Sequence, residues 1–352
     1  MEEKITMKMK RILIYTIVLI VIFWFANSVS YYAQNNTATD LLIKAVKNNQ
    51  KGFDKISVIE RAIRAGADVN IRDSDDNPIL AIAIKKDDIE VVNLLVAAGA
   101  NLNALDEYGD PLISMVNCYQ HEDIAKILIE AGVDLNVKNS NGEWVLATTL
   151  SNEFKCHKEG ESDFTITKLL IESGASVNIK NVEGRPLIYD VINSREIRLL
   201  ELLIEAGAED LNYVDDYGDS LMKIAIVNQS EEIVKILIEA GADVNLIDDK
   251  GMHLLSYAIE VENESILRRL VEAGANVHFK DQDGNSLVYH AVRKGKGRSL
   301  VKILVDAGVD VTAKNNKNLT VLDLIRQERN RKKEIWIKNI KKHIKEKDLN
   351  LY

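Results

Sequence analysis

Between Ser220 and Lys250 the chain sets short apolar blocks between polar breaks. In "SLMKIAIVN" (Ser220–Asn228) the apolar residues Leu221, Met222, Ala225 and Ile226 recur at helical spacing, which predicts a helix with one buried face. The polar stretch "NQSEE" interrupts it, and "IVKILIEA" (Ile233–Ala240) predicts a second helix. Gly241 should end that helix, because the position just past a helix favours a left-handed backbone that glycine enters cheaply. "ADVNLIDDKG" then predicts an extended excursion with a tight turn at "DDKG". The block reads as helix, turn, helix and projecting hairpin.

The same block returns along the chain. Its closing glycine falls at Gly66, Gly99, Gly132, Gly174, Gly207, Gly241, Gly274 and Gly308, mostly 33 or 34 residues apart. A second glycine follows ten or eleven residues later, at Gly109, Gly142, Gly184, Gly218, Gly251 and Gly284. Pro78, Pro111 and Pro186 share one slot, at or next to the first turn of the first helix, where a missing N–H costs little. Ser220, Ser286 and Thr320 are N-cap candidates for that helix. A fixed period near 33 predicts stacked units, none able to bury its apolar faces alone. One interval is nine residues too long, and the surplus is expected near Asn152–Asp163, between the two helices of the fourth unit.

The period, the "LIEAGADVN" ending and hairpins such as "VDDYGDSLMKIAI" and "DQDGNSLVYHAV" resemble the ankyrin repeat family over about residues 38–325. The resemblance implies an all-α solenoid of about eight repeats with terminal caps, elongated and curved. One departure is clear: the family's Thr-Pro-Leu-His signature is reduced to Pro-Leu, Ser-Leu or His-Leu. Its Thr and His stitch loop to helix, so single repeats are expected to be softer. Residues 326–352 are basic and read as a C-terminal capping helix that shows a polar face to water.

Ahead of the array, residues 1–11 form a basic leader with Lys4, Lys8, Lys10 and Arg11. The uncharged run "ILIYTIVLIVIFWFA" (Ile12–Ala26) continues to Tyr32. Basic residues stay on the cytoplasmic side while apolar runs partition into lipid. Residues 12–32 therefore read as a single hydrophobic helix, either a transmembrane anchor or a signal peptide with small residues at Ser28–Ser30. The first outcome places the repeats on the periplasmic or extracellular side of the membrane. The second releases them to the periplasm.

Chemistry is sparse. The net charge of −9 argues against nucleic acid. "GKGRS" (Gly295–Ser299) lacks the order of a phosphate loop, and Cys118 and Cys156 form no spaced motif, although one bridge between them stays open. The six histidines are scattered. His253 holds a helix-start slot and His278 replaces an asparagine, so both read as structural. Neither catalytic residues nor a cofactor or metal are expected.

The resemblance directs attention to the hairpin tips and the concave face beside them, where the family binds partners. Asp106, Glu107 and Asp110 surround Tyr108, and Asp215, Asp216 and Asp219 surround Tyr217. An aromatic with an acidic rim suits a basic partner, while the first Asp of each tip reads as a turn former. The expectation is a non-enzymatic, monomeric scaffold or adaptor for a protein partner, displayed on the outer side of the cytoplasmic membrane. Two alternatives are an accessory or inhibitory partner of an envelope enzyme or toxin, and a soluble cytosolic scaffold with Ile12–Ala26 buried.

Overall fold

Each apolar block becomes a helix in the computed structural model, which describes residues 36–48, 53–118, 121–156, 164–293, 297–327, 337, 338 and 341. Residues 1–11 and 12–32 lie outside the described residues, as does most of 326–352. The chain forms two compact units, one ending at Ser176 and the other beginning at Val177. The first unit holds helix α1 (residues 36–47), α2 (Phe53–Arg64), α3 (Ile79–Lys85), α4 (Ile89–Ala97), α5 (Leu112–Cys118), α6 (Glu122–Glu130), α7 (Val145–Cys156) and α8 (Thr165–Glu172). The second holds α9 (Leu187–Ser194), α10 (Ile197–Glu205), α11 (Leu221–Val227), α12 (Glu231–Glu239), α13 (Leu254–Glu260), α14 (Glu264–Glu272), α15 (Leu287–Arg293), α16 (Gly297–Asp306) and α17 (Val321–Gln327).

Helices of one kind stack on each other. In the first unit α3 packs on α5 and α5 on α7, while α4 packs on α6 and α6 on α8. In the second, α9, α11, α13, α15 and α17 form one layer and α10, α12, α14 and α16 the other. The apolar face of α11 is buried as its spacing predicts, with Leu221, Met222, Ala225 and Ile226 inside, and α12 buries Ile233, Val234, Ile236 and Leu237. Between helix pairs the chain forms no strand among the described residues. The hairpins close on single antiparallel bridges, such as Val214 with Ser220 and Ile247 with His253. Pro78, Pro186, Ser220 and His253 are the N-caps of their helices, one residue before the first turn. Ser220 Oγ accepts from the Lys223 N–H and His253 Nδ1 from the Leu255 N–H, so serine and histidine do at this slot what proline cannot.

The closing glycines sit at positive φ, as at Gly241 (φ 89). There the Gly241 N–H donates to Ile238 O and the Ala242 N–H to Leu237 O, which satisfies two carbonyls at the end of α12. A Cβ on Gly241 would meet nothing within 4 Å, so backbone conformation rather than space demands glycine. Gly284 differs, because a Cβ there would come within 2.9 Å of the Asn316 backbone nitrogen.

The asparagine that ends "ADVN" has a task that its turn-forming character hides. Asn212 Oδ1 accepts the Asp243 N–H at 2.7 Å, and Asn245 Oδ1 accepts the Asn276 N–H at 2.7 Å. The same bond runs from Asn101 N–H to Asn70, from Asp134 N–H to Asn103, and from Glu209 N–H to Asn178. Each asparagine side chain thus ties its loop to the next loop about one repeat on.

The expected position of the nine-residue surplus needs correction. Helix α7 runs on through Cys156, so Asn152–Cys156 extend the first helix of the pair and do not form a loop. Glu153 on this extension is 6% exposed. Its two carboxylate oxygens accept the N–H groups of Ile166 and Thr167 at 3.1 and 3.3 Å. Phe164, the N-cap of α8, makes no side-chain cap bond and stacks edge-on against Phe154. Glu153 therefore supplies the cap that α8 lacks locally, where the helix dipole also favours a negative charge. The rest of the surplus, residues 157–163, lies outside the described residues.

Candidate functional site at the hairpin tips

The first residue of each tip is consumed by the turn. Asp106 Oδ1 accepts the N–H groups of Tyr108 and Asp110 at 2.8 and 3.0 Å, and Asp215 Oδ1 those of Tyr217 and Asp219 at 2.9 Å each. Asn139, Asn181, Asp248 and Asn315 do the same in their own tips. Asparagine serves as well as aspartate, so the turn requires the amide or carboxylate oxygen and not the charge.

The remaining expected contact residues separate into two groups. Asp106 is only 8% exposed, and Glu107 is half-buried with both oxygens 2.7 Å from Lys85 Nζ. Asp110 accepts from Ser140 Oγ at 3.3 Å, and Asp219 pairs with Lys223 at 2.5 Å. These carboxylates are drawn toward the array. Tyr108 and Tyr217 point the other way, 72% and 79% exposed, and Asp216 is exposed with no ion pair among the described residues. The Tyr108 ring has the Lys85 ammonium 6.0 Å from its centroid. Of the acidic rim expected around Tyr108, Glu107 is neutralised by Lys85 while Asp106 and Asp110 are engaged by neutral donors, whereas Asp216 leaves a free carboxylate beside Tyr217.

Behind the second tip lies an ionic group that the apolar pattern of α11 gave no sign of. Lys223 is buried in this helix, with Nζ 2.5 Å from Asp219 Oδ1, 2.9 Å from Asp248 Oδ2 and 4.5 Å from the centre of the Tyr257 ring. The Tyr257 hydroxyl donates to the same Asp248 oxygen. Burial works against the Lys223 ammonium, but the hydrogen bonds outweigh it and leave its pKa raised. Burial likewise pushes the Asp248 carboxyl up. Bonds from Tyr257, the Met252 N–H and Lys223 overcome this and hold it at about 2, against an ordinary 3.8. This group fastens the hairpin to α11 and α13.

Among the described residues no group of three or more His, Cys, Asp or Glu is placed to hold a metal ion. His253 is buried, and burial lowers its pKa. Its Nε2 faces Asn245 Oδ1 at 3.3 Å and its ring lies against Phe279, which makes it part of the loop-to-helix stitching. The side chains of Cys118 and Cys156 lie outside the described residues. Among the described residues no helix is long and apolar enough to cross a membrane.

Comparison with known proteins agrees with the helix-pair geometry. A family pattern described as ankyrin repeats in three copies matches residues 42–139, 156–248 and 242–315. Among solved structures, the ankyrin repeat domain of Bcl-3, described as a unique member of the IkappaB protein family, is similar to this chain. It aligns at 24% identity over 66% of this chain and 99% of its own, with a TM-score of 0.52. An ankyrin repeat domain from Acinetobacter baumannii AYE is similar at 24% identity over 56% of this chain and 98% of its own, with a TM-score of 0.47. No curated protein matches the sequence. Ankyrin repeats are protein–protein interaction modules, and the matches indicate no catalytic family. With the pattern matched over more than half of its length, the chain belongs to the ankyrin repeat family.

Proposed function

We propose that this protein is a non-catalytic scaffold or adaptor that binds a protein partner through its hairpin tips and is held at the outer side of the cytoplasmic membrane by residues 12–32. The array on this reading counts about eight repeats over residues 38–325, closed by a basic cap over residues 326–352. The observation that carries the binding role is the division of labour within the tips. The first residue is spent on the turn, while Tyr108 and Tyr217 two positions later stand in solvent at 72% and 79% exposure. The turn does not need an aromatic there, since Asn141, Glu183 and Lys250 fill the same place elsewhere. A large exposed ring at a position the fold leaves free is the kind of residue that anchors an interface.

Membrane display rests on the basic leader and the uncharged run behind it. The binding role is tested by co-purification from the producing cell. A partner retained by the intact protein and lost on Tyr108→Ala plus Tyr217→Ala supports it. Retention of the partner by the double variant, with unfolding unchanged, sinks the tips as the binding surface.

A further inference from the structure

We infer that the hairpin face of the second unit, centred on Val214, Tyr217 and Ile247 with Asp216 and Asp249 beside them, takes an extended basic segment of a partner protein in which lysine or arginine alternates with apolar residues. The inference rests on the protein-binding reading above and specifies the chemistry of the partner.

Three observations carry it. Val214 and Ile247 are 46% and 56% exposed and occupy one repeat position, directly before the first tip residue. That position is Lys180 and Lys280 in other hairpins of the same unit, each bridged in the same way to its Pro186 or Ser286. The fold therefore tolerates a charge there, and the exposed valine and isoleucine are not required by packing. Secondly, the two tips are neighbours: a Cβ on Gly218 would lie 2.9 Å from the Asp249 carboxylate, so the tip of one hairpin packs against that of the next. Thirdly, the central hairpin is acidic, although exposed Lys180 and Lys280 stand in other hairpins of the unit. The hairpin Val214–Ser220 holds three aspartates and no basic residue. Lys223 behind it is engaged by Asp219 and Asp248. Asp216 and Asp249 are exposed and make no ion pair among the described residues, although Lys250 stands exposed next to Asp249. Apolar side chains with free carboxylates at their edge are complementary to an extended segment whose apolar side chains lie on the valine and isoleucine while the long lysine or arginine stems between them reach round to the carboxylates.

The test uses the full chain and a fluorescent peptide of about twelve residues in which lysine alternates with valine. Two control peptides replace valine by serine or lysine by glutamate. The inference expects the lysine–valine peptide to bind at least tenfold more tightly than either control. It further expects Val214→Ser plus Ile247→Ser to weaken that binding at least tenfold with unchanged thermal unfolding. Asp216→Asn plus Asp249→Asn should weaken it and flatten its salt dependence. Val227→Ser, which alters an exposed apolar residue at the end of α11, should do nothing. Equal binding of the lysine–serine peptide, or equal loss with Val227→Ser, would reduce the effect to the general negative charge of the chain and overturn the inference. Peptide binding unaffected by the face variants, in a protein that still captures its partner in a tyrosine-dependent way, would overturn the inference and leave the scaffold reading standing.

Discussion

At the scale of single residues, backbone conformation and hydrogen-bond supply decide which side chains recur. Gln229, in the turn between α11 and α12, holds φ 55 and is exposed, and Asp87, Arg195 and Glu262 hold the same kind of conformation in their own turns. A left-handed backbone costs a non-glycine residue ~1–2 kcal/mol, and glycine gives back part of that as chain entropy. Gln229→Gly should therefore stabilise the second unit by about 0.5–1 kcal/mol in urea unfolding. A loss of stability would mean that the Gln229 side chain does more than turn the chain. The asparagine ties make the opposite prediction. Asn212→Ala leaves the Asp243 N–H to water and should cost about 0.5–1 kcal/mol, since the site is exposed. His278 stands where this asparagine recurs, so His278→Asn should gain a similar amount by tying its loop to the next.

The ionic group around Lys223 sets a pH dependence whose sign is fixed. Asp248 has a folded pKa of about 2 against 3.8, so its contribution is complete above pH ~4 and is lost as pH falls through about 2. A shift of this size corresponds to roughly 2 kcal/mol. Asp248→Asn isolates the charge, because asparagine at the equivalent positions 139, 181 and 315 makes the same turn. The variant should be less stable by about 2 kcal/mol at pH 7, and the difference should vanish near pH 2. A difference that is constant across this range would assign the effect to packing.

At the scale of elements, the pairing of helices follows from burial. Leu237 on α12 is fully buried, and Leu237→Ala should cost ~2–5 kcal/mol through lost transfer energy and the cavity left behind. The extended α7 gives a more specific prediction. Removing the Glu153 cap by Glu153→Ala should cost about 1–2 kcal/mol and should raise hydrogen exchange first at the Ile166 and Thr167 amides. Unchanged exchange at those two amides would refute the cap.

These elements also mark how far the sequence can be read. The helix pairs, the glycine ends and the turn role of the first tip residue are all legible, because each depends on residues within one period. Glu153 is not. Its role depends on the helix continuing past its usual length and on amides thirteen and fourteen residues away. Lys223 is hidden for a related reason. A lysine in an apolar block reads as an exposed interruption until Asp219, one helical turn back, and Asp248, in the next hairpin, are in place. The two tyrosines are legible as the solvent-facing feature of their tips, but sequence overstates the acidic rim of Tyr108, since Lys85 neutralises Glu107 from within. The exposed Val214 and Ile247 give no signal, because an apolar residue in an extended stretch normally marks burial.

At the scale of the whole molecule, a chain with net charge −9 pairs an acidic repeat array with basic segments at both ends. We propose that the leader and uncharged run put the array beyond the cytoplasmic membrane. Fractionation with intact-mass measurement should find the protein either full length in the membrane fraction or shortened by about 28–33 residues in the soluble envelope fraction. Full length in the cytosol would contradict export.

The proposed role of the protein is to bind another protein at its hairpin tips. It is tested most directly by placing a photo-crosslinking residue at position 108, 217 or 227 of the full chain in the producing cell. Binding at the tips should give a discrete protein adduct from one or both tip positions and none from 227, which is exposed but lies at a helix end. The same adduct from 227, or none from either tip while the protein still co-purifies with a partner, would contradict it.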